Sequence, residues 1–126
     1  DVLQQVLSFL ELSAQAMQAL GVEKTRIVVD PGIGFGKTVA QNFTLLARQR
    51  ELLALGYPVL AGWSRKSSLG AVTGLDVDQR LQPSVAAALL AVERGARIVR
   101  VHDVRETVQA LAVWRAMESS EAVGAP

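Results

Sequence analysis

The chain has 126 residues, half of them apolar and a fifth charged, which is enough for one domain with an extensive buried core. A net charge of +1 gives no electrostatic reason to expect a nucleic-acid or anionic-membrane partner, and no apolar run approaches the length of a membrane span. Because cysteine is absent and there is one histidine, disulfides, thiolate metal sites and multi-histidine metal centres are excluded.

Helices and short strands alternate along the sequence. Apolar residues at three- to four-residue steps, followed in most cases by glycine, mark the helices, and short continuous apolar runs mark strands buried on both faces. The predicted elements in chain order are a helix over residues 1–20, a strand over 27–29, a helix over 40–55, a strand over 58–62, a helix over 81–94, a strand over 98–101 and a helix over 104–117.

Smaller features define the ends of these elements. A polar turn, "WSRKSS", and a short apolar stretch to Gly74 follow the second strand. Pro83 fits the first turn of the third helix, and the spacing of Asp103 and Glu106 predicts a capping box at the start of the last one. Residues 119–126 are predicted to form a flexible tail.

Strands that alternate with helices predict parallel pairing with right-handed crossovers. Three strands leave two unpaired sheet edges, and one helix precedes the first strand. Either the fold is a very small open sheet or the chain is part of a larger α/β barrel, and we favour the barrel. A start at Asp1, inside a predicted helix, is also what a piece of a longer protein would show.

The segment "VVDPGIGFGKT", residues 28–38, comes close to two nucleotide-binding patterns and matches neither. A phosphate loop requires glycine five residues before Gly36, where this chain has Pro31. The dinucleotide pattern G-x-G-x-x-G fails because the glycines are spaced G-x-G-x-G. We therefore interpret Lys37 and Thr38 as the start of a helix.

Polar residues follow the end of every predicted strand. In strand order they are Asp30, then Ser64 and Lys66, then Arg100 and His102. Because ligands of parallel α/β proteins bind at the carboxyl ends of the strands, a ligand site is predicted at this edge of the sheet.

The residues near this edge each allow two interpretations. Asp30 could accept two N–H bonds from an amino-pyrimidine, or it could cap the turn before Pro31. Arg100 and His102, two apart on a predicted strand, point to one side and favour a phosphate, with an internal ion pair beside a core histidine as the alternative. Phe35, between two glycines, either packs on the core or faces a flat ligand. Trp63 is interpreted as a core residue.

Three segments together resemble dihydropteroate synthase, the sulfonamide-target enzyme of folate synthesis. They are "DPGIGFGK" at residues 30–37, "GWSRKS" at 62–67 and "RVHDV" at 100–104, in the order and spacing of that family. The resemblance covers nearly the whole chain and departs from the family only slightly, at Trp63 and Pro83. It implies a (β/α)8 TIM barrel of which residues 1–118 form the C-terminal part.

The resemblance also implies a reaction. The family condenses 6-hydroxymethyl-7,8-dihydropterin pyrophosphate with p-aminobenzoate to give 7,8-dihydropteroate and pyrophosphate. It implies Mg²⁺ as cofactor, a cytoplasmic location and a homodimer. The main Mg²⁺ ligand of the family lies upstream of the matched segments, so no metal ligand is expected within this chain, and the chain is expected to be inactive by itself.

By the same resemblance, Asp30 binds the amino-pyrimidine edge of the pterin. Lys66 contacts the pterin and lines the aminobenzoate pocket, and Arg100 and His102 bind the pyrophosphate, which makes these three the expected catalytic residues. The remaining expected substrate contacts are Gly34 and Phe35 as walls of the aminobenzoate site, Ser67 at its carboxylate, and Gly62 and Ser64. Arg65 is expected to support the site.

Three alternatives compete with this assignment. A pterin-binding methyltransferase domain shares the barrel but would need neither "SRKS" nor the Arg-Val-His segment, since no pyrophosphate leaves. A non-catalytic pterin-binding paralogue would keep all three segments. A half-barrel that persists only by self-association would need a partner for its exposed sheet edges.

Overall fold

The structure, a computed structural model, describes residues 1–124 as a short parallel sheet with helices packed around it. In chain order the elements are α1 (Val2–Ala19), α2 (Val39–Ala47), β1 (Val59–Ala61), α3 (Ser67–Thr73), α4 (Leu81–Glu93), β2 (Ala96–Val99) and α5 (Val104–Gly124). Three 3₁₀ turns accompany them, at Lys24–Arg26, Gln49–Leu55 and Val77–Gln79. No helix among these residues is both long enough and apolar enough to cross a membrane.

The sheet pairs β1 with β2 in parallel, as the alternation of strands and helices predicts. The predicted first strand, residues 27–29, is reduced to a single bridging residue within the described chain. Val29 donates its N–H to the Pro58 carbonyl (2.9 Å) and accepts from the Leu60 N–H (2.8 Å). The pairing stops there because the chain turns at Asp30 and the next residue, Pro31, has no N–H to donate.

The helices differ from their predicted extents at three places. The predicted helix over 40–55 ends at Ala47 and continues as a 3₁₀ turn, where the Gln49 side chain donates to the Ala91 carbonyl (2.8 Å). The stretch before Gly74 is a helix, α3, that was not predicted because seven residues are too short to show periodicity. The last helix runs past Met117, so residues 119–124 continue α5, and the end of the predicted tail lies outside the described residues.

Other expectations are confirmed. The helix over 1–20 is α1, the helix over 81–94 is α4, and Pro83 lies in the first turn of α4. Thr38 starts α2 through a capping box: its hydroxyl accepts from the Gln41 N–H (3.1 Å), and the Gln41 side chain accepts from the Thr38 N–H (2.9 Å).

The hydrophobic core lies between the sheet and the helices that pack against it. Leu3 of α1, Leu45 of α2 and Val59 of β1 are all almost fully buried and belong to one cluster. Leu52, in the 3₁₀ turn after α2, is 0% exposed, whereas its neighbour Leu53 is 41% exposed. The last residues of β1 and β2, Ala61 and Val99, also pack in or against this cluster, so the core anchors the carboxyl ends of both strands.

Replacing Leu52 with alanine tests this description of the core. We expect Leu52→Ala to lower the free energy of unfolding by about 2–5 kcal/mol, because it removes buried methyl groups and leaves a cavity. The matched change Leu53→Ala, one residue further on, should cost less than about 1 kcal/mol. Urea denaturation of both variants measures the difference, and equal losses would contradict the core described here.

Candidate functional site

The carboxyl ends of β1 and β2 bring Gly62 and Arg100 together. The Arg100 N–H donates to the Ala61 carbonyl (3.0 Å), so the chain stays paired one residue beyond β2. A Cβ on Gly62 would lie 3.2 Å from Arg100 Nη2. Glycine at position 62 thus allows the exposed guanidinium to lie across the backbone of the neighbouring strand.

Two residues beyond Gly62 and Arg100, Ser64 contacts His102. The His102 N–H donates to Ser64 Oγ (3.1 Å), and the same oxygen lies 2.7 Å from His102 Nδ1. Because the backbone N–H already supplies the hydroxyl oxygen with a donor, the hydroxyl hydrogen is free to donate to Nδ1. In the tautomer in which the hydroxyl donates to Nδ1, Nε2 is the ring nitrogen that carries the proton.

These residues line one cavity. It has a volume of about 330 Å³ and is bounded by Gly62, Ser64, Lys66, Arg100, Val101 and His102. Two cations and a histidine around a small cavity are suited to an anion with several oxygens, such as a phosphate or pyrophosphate. The residues predicted to bind an anion therefore line one cavity. Both Arg100 and His102 lie just beyond β2 and not on it, and Arg100 is exposed, not buried.

Lys66 connects this cavity to the glycine loop, residues 30–37. Its Nζ donates to the Ile33 carbonyl and lies 5.0 Å from the centre of the Phe35 ring. Its Cδ lies 3.2 Å from where a Cβ of Gly34 would be, and Gly34 has a φ of +87°. The left-handed backbone favours glycine at this position, and a Cβ here would force the Lys66 side chain to shift by a few tenths of an ångström.

The electrostatic surroundings of Lys66 are unusual for a lysine. Burial lowers the pKa of its ammonium group, the charge of Arg100 lowers it further, the carboxylate of Asp30 opposes these effects, and Lys37 adds to them. Lys66 is therefore held in a cationic neighbourhood in which a bound anion would be favourable.

The glycine loop is closed by its own polar side chains. Asp30 Oδ1 accepts from the Gly32 N–H (2.8 Å), and Lys37 Nζ donates to the carbonyls of Gly32 (2.8 Å) and Phe35 (3.0 Å). The turn-capping interpretation of Asp30 is thus correct. It does not exclude a ligand, because a carboxylate has about four acceptor positions and this bond occupies one of them.

Asp30 and Phe35 line a different cavity from the one beside Arg100. It has a volume of about 420 Å³ and lies between the glycine loop and the α1 residues Val2, Val6 and Phe9. Phe35 is 68% exposed, which excludes the interpretation that it packs on the core, and Trp63 is buried, as predicted. Of the predicted site residues, Gly34 contacts Lys66, whereas Ser67 is exposed at the start of α3 and lines neither cavity.

In addition to the Ser64–His102 contact, Arg65 and Asp103 join the loops after β1 and β2. Arg65, the only described residue other than glycine with a positive φ (59°), donates to Asp103 Oδ1 (3.1 Å). Its N–H donates to Ser84 Oγ (2.9 Å), and its carbonyl accepts from Arg80 Nη1 (3.0 Å). The supporting role expected of Arg65 is thus consistent with its contacts. Asp103, predicted as a helix cap, uses its carboxylate to bind Arg65.

Sequence reasoning missed the residues that hold the loops from beneath: Asn42, Ser68, Arg80 and Ser84. Their bonds join segments that are far apart in sequence. An Asn within the apolar pattern of a helix is the one sequence feature that points to any of them.

The fold and the position of this site indicate the structural class of the protein. Parallel strands followed by helices, with charged loops converging at the carboxyl ends, are typical of α/β-barrel proteins that bind their ligand on that face. Comparison with known proteins identifies the family. A family profile described as "Pterin binding enzyme" matches residues 1–102.

Individual relatives of this chain are dihydropteroate synthases. Dihydropteroate synthase of Haemophilus influenzae is 48% identical over 116 residues, which is 92% of this chain and 42% of that protein. The solved structure of dihydropteroate synthase from Xanthomonas albilineans with 7,8-dihydropteroate superposes with a TM-score of 0.93 at 48% identity, over 100% of this chain and 47% of that one. A structure of that enzyme with 4-aminobenzoic acid also has a TM-score of 0.93 at 48% identity, over 100% of this chain and 45% of that one.

The chain therefore belongs to the pterin-binding enzyme family. The expected resemblance to dihydropteroate synthase and the expected fold are confirmed, and the chain is a C-terminal part of a TIM barrel. It spans somewhat less than half the length of these relatives.

The charges around Lys66 generate a testable prediction. In the full-length protein, Arg100→Met should raise the pKa of Lys66, because a repelling cation is removed, and Asp30→Asn should lower it, because an attracting anion is removed. An NMR titration of the Lys66 side chain measures both shifts. Arg97→Met, at the other end of β2, is the matched control and should leave this pKa unchanged. Shifts of the same sign in the two test variants would contradict the assignment.

Proposed function

We propose that the full-length protein is a dihydropteroate synthase, which condenses 6-hydroxymethyl-7,8-dihydropterin pyrophosphate with p-aminobenzoate to give 7,8-dihydropteroate and pyrophosphate. The observation that carries this proposal is the cavity where Lys66, Arg100 and His102 converge beside the glycine loop. A reaction that releases pyrophosphate needs fixed cations at the leaving group, and here two adjacent loops supply them. The bound ligands of the X. albilineans structures agree with this substrate class.

The pterin end of the substrate is assigned to Asp30. The carboxylate is exposed at the cavity beside α1, and its bond to the Gly32 N–H fixes its orientation. A carboxylate held in this way can accept two N–H bonds from the amino-pyrimidine edge of a pterin.

The pyrophosphate end is assigned to Arg100 and His102. The guanidinium presents several N–H donors across Gly62, and with Ser64 donating to Nδ1 the imidazole presents its Nε2–H to the same anion. As the C–O bond to pyrophosphate breaks, negative charge grows on the leaving oxygen, and both groups stabilise it. Departure of pyrophosphate leaves a cationic pterin methylene.

The aminobenzoate site is assigned to Gly34, Phe35, Lys66 and Ser67. The exposed Phe35 ring offers a flat surface, and Lys66 and Ser67 follow each other on the facing loop. The neutral amine of p-aminobenzoate attacks the methylene, a C–N bond forms, and the amine then loses a proton. These side chains act by holding the amine near the cationic carbon.

The cofactor, the location and the assembly remain parts of the proposal. Within residues 1–124 no three His, Cys, Asp or Glu side chains converge, so these residues do not fit a Mg²⁺ site and no step is assigned to the ion. We expect a cytoplasmic enzyme. An apolar groove between α4 and α5, lined by Leu90, Val113 and Met117 among others, supports a homodimer.

A direct assay tests the function. Purified full-length protein, given the pterin pyrophosphate and p-aminobenzoate, should release one pyrophosphate for each dihydropteroate formed. Tight pterin binding without condensation would instead favour a non-catalytic paralogue. Transfer of a methyl group to or from a reduced pterin would favour the methyltransferase alternative, for which the cationic cavity supplies no reason.

Asp30→Asn tests the pterin assignment. The substitution keeps an acceptor for the Gly32 N–H and so preserves the turn, but it removes the charge. We expect pterin affinity, measured by calorimetry, to fall by about 2–3 kcal/mol. Asp78→Asn, an equal loss of charge in an exposed turn, is the control. Unchanged pterin affinity in Asp30→Asn would remove Asp30 from this role.

Arg100→Ala separates the two ends of the substrate. Affinity for the pterin pyrophosphate should fall by about 2 kcal/mol, because a charge-assisted bond to the anion is lost, while affinity for the plain pterin changes less. Arg97→Ala should affect neither ligand. Equal losses for both ligands would mean that Arg100 supports the structure and does not bind the anion.

A further inference from the structure

We propose that Asn42 is a positioning residue that fixes the two walls of the aminobenzoate site relative to each other. Because this role concerns the aminobenzoate site, it rests on the function proposed above. Asn42 belongs to α2, is 1% exposed and lines neither of the two cavities. Any influence it has on a substrate must therefore pass through its bonding partners.

Both ends of the Asn42 carboxamide are bonded. Its Oδ1 accepts from the Gly34 N–H (3.0 Å), and its Nδ2 donates to Ser68 Oγ in a bond between buried groups (2.9 Å). Gly34 immediately precedes Phe35, and Ser68 immediately follows Ser67. One rigid amide group thus joins the glycine loop to the first turn of α3, and each partner is next to a proposed substrate contact.

The geometry makes this tie specific. The capping box at Thr38 and Gln41 holds the start of α2, so Asn42 is presented from a rigid element. Gly34 has a left-handed backbone, and the bond from its N–H to Asn42 stabilises that conformation. Without Asn42, the buried Ser68 hydroxyl and the Gly34 N–H lose these partners, and the loop can relax away from α3.

The other parts of the site are held by different bonds. The Asp30 carboxylate is oriented by the Gly32 N–H, and His102 is oriented by Ser64. Loss of the Asn42 tie should therefore disturb the aminobenzoate site more than the pterin or pyrophosphate contacts. A residue with a merely structural role would not produce that selectivity.

Kinetics of the full-length protein test this role with Asn42→Leu, the milder Ser68→Ala and the double variant. In Asn42→Leu we expect the KM for p-aminobenzoate to rise about tenfold, as for loss of a buried hydrogen bond, and the KM for the pterin pyrophosphate to change less than about twofold. The double variant should be no worse than Asn42→Leu, because both changes break one tie. Proportional changes in the two KM values, or no change in either, would overturn the proposal.

Gln49→Leu is the matched control. Gln49 is also buried, and its carboxamide donates to the carbonyls of Ala91 and Arg94, at the C-terminal end of α4, and has no bond to the glycine loop or to α3. Its loss should lower the melting temperature and leave both KM values unchanged. If Gln49→Leu raised the KM for p-aminobenzoate as much as Asn42→Leu does, the effect would be one of general stability and the proposal would fail.

Hydrogen exchange supplies a measurement that does not depend on activity. The Gly34 amide should exchange faster in Asn42→Leu than in the wild type or in Gln49→Leu. An unchanged Gly34 exchange rate overturns the positioning role whatever the kinetics show. If the wild type makes no dihydropteroate, the proposed function fails by itself, and the exchange of Gly34 still decides whether Asn42 holds the loop.

Discussion

The parallel pairing of β1 with β2 determines where the charged side chains of this protein meet. Because the two strands are parallel, both end at the same edge of the sheet, where the Arg100 N–H still donates to the Ala61 carbonyl. The residues that follow β1 and β2 are therefore neighbours. The Arg100 guanidinium then lies against Gly62, and Ser64 contacts His102. Burial lowers the pKa of Lys66, and the charge of Arg100 beside it lowers that pKa further. This concentration of positive charge is the physical reason for proposing that an anion binds at this edge.

The loops at this edge are held by side chains from several elements. Arg65 adopts a left-handed conformation that costs a residue with a side chain roughly 1–2 kcal/mol. Its N–H donates to Ser84, its carbonyl accepts from Arg80 and its guanidinium donates to Asp103, and these bonds offset that cost. The residue after it, Lys66, is consequently placed with little freedom, and its Nζ reaches the carbonyl of Ile33. Preorganisation of this kind is what a site that stabilises a transition state requires.

Most of the helices and the convergence of the candidate site residues could be predicted from the sequence, because those depend on local patterns. Apolar periodicity predicted α1 and α4, and polar residues after strands predicted that Lys66, Arg100 and His102 would meet at one edge. What could not be predicted depends on contacts between distant segments. The bond between Asn42 and Ser68 spans 26 residues, and the bond between Arg65 and Asp103 spans 38. Asp103 has a spacing typical of a helix cap, and only the folded chain shows that Arg65 is its partner.

A structure of the full-length protein with 7,8-dihydropteroate bound tests the central claim most directly, because it locates both ends of the product at once. The account predicts the amino-pyrimidine edge on the Asp30 carboxylate, the benzoate ring beside Phe35 and its carboxylate near Ser67. It also predicts that Lys66 lies between the two halves of the product. A product bound without contact to Asp30 or Lys66 would contradict the assignment of this edge of the sheet as the active site.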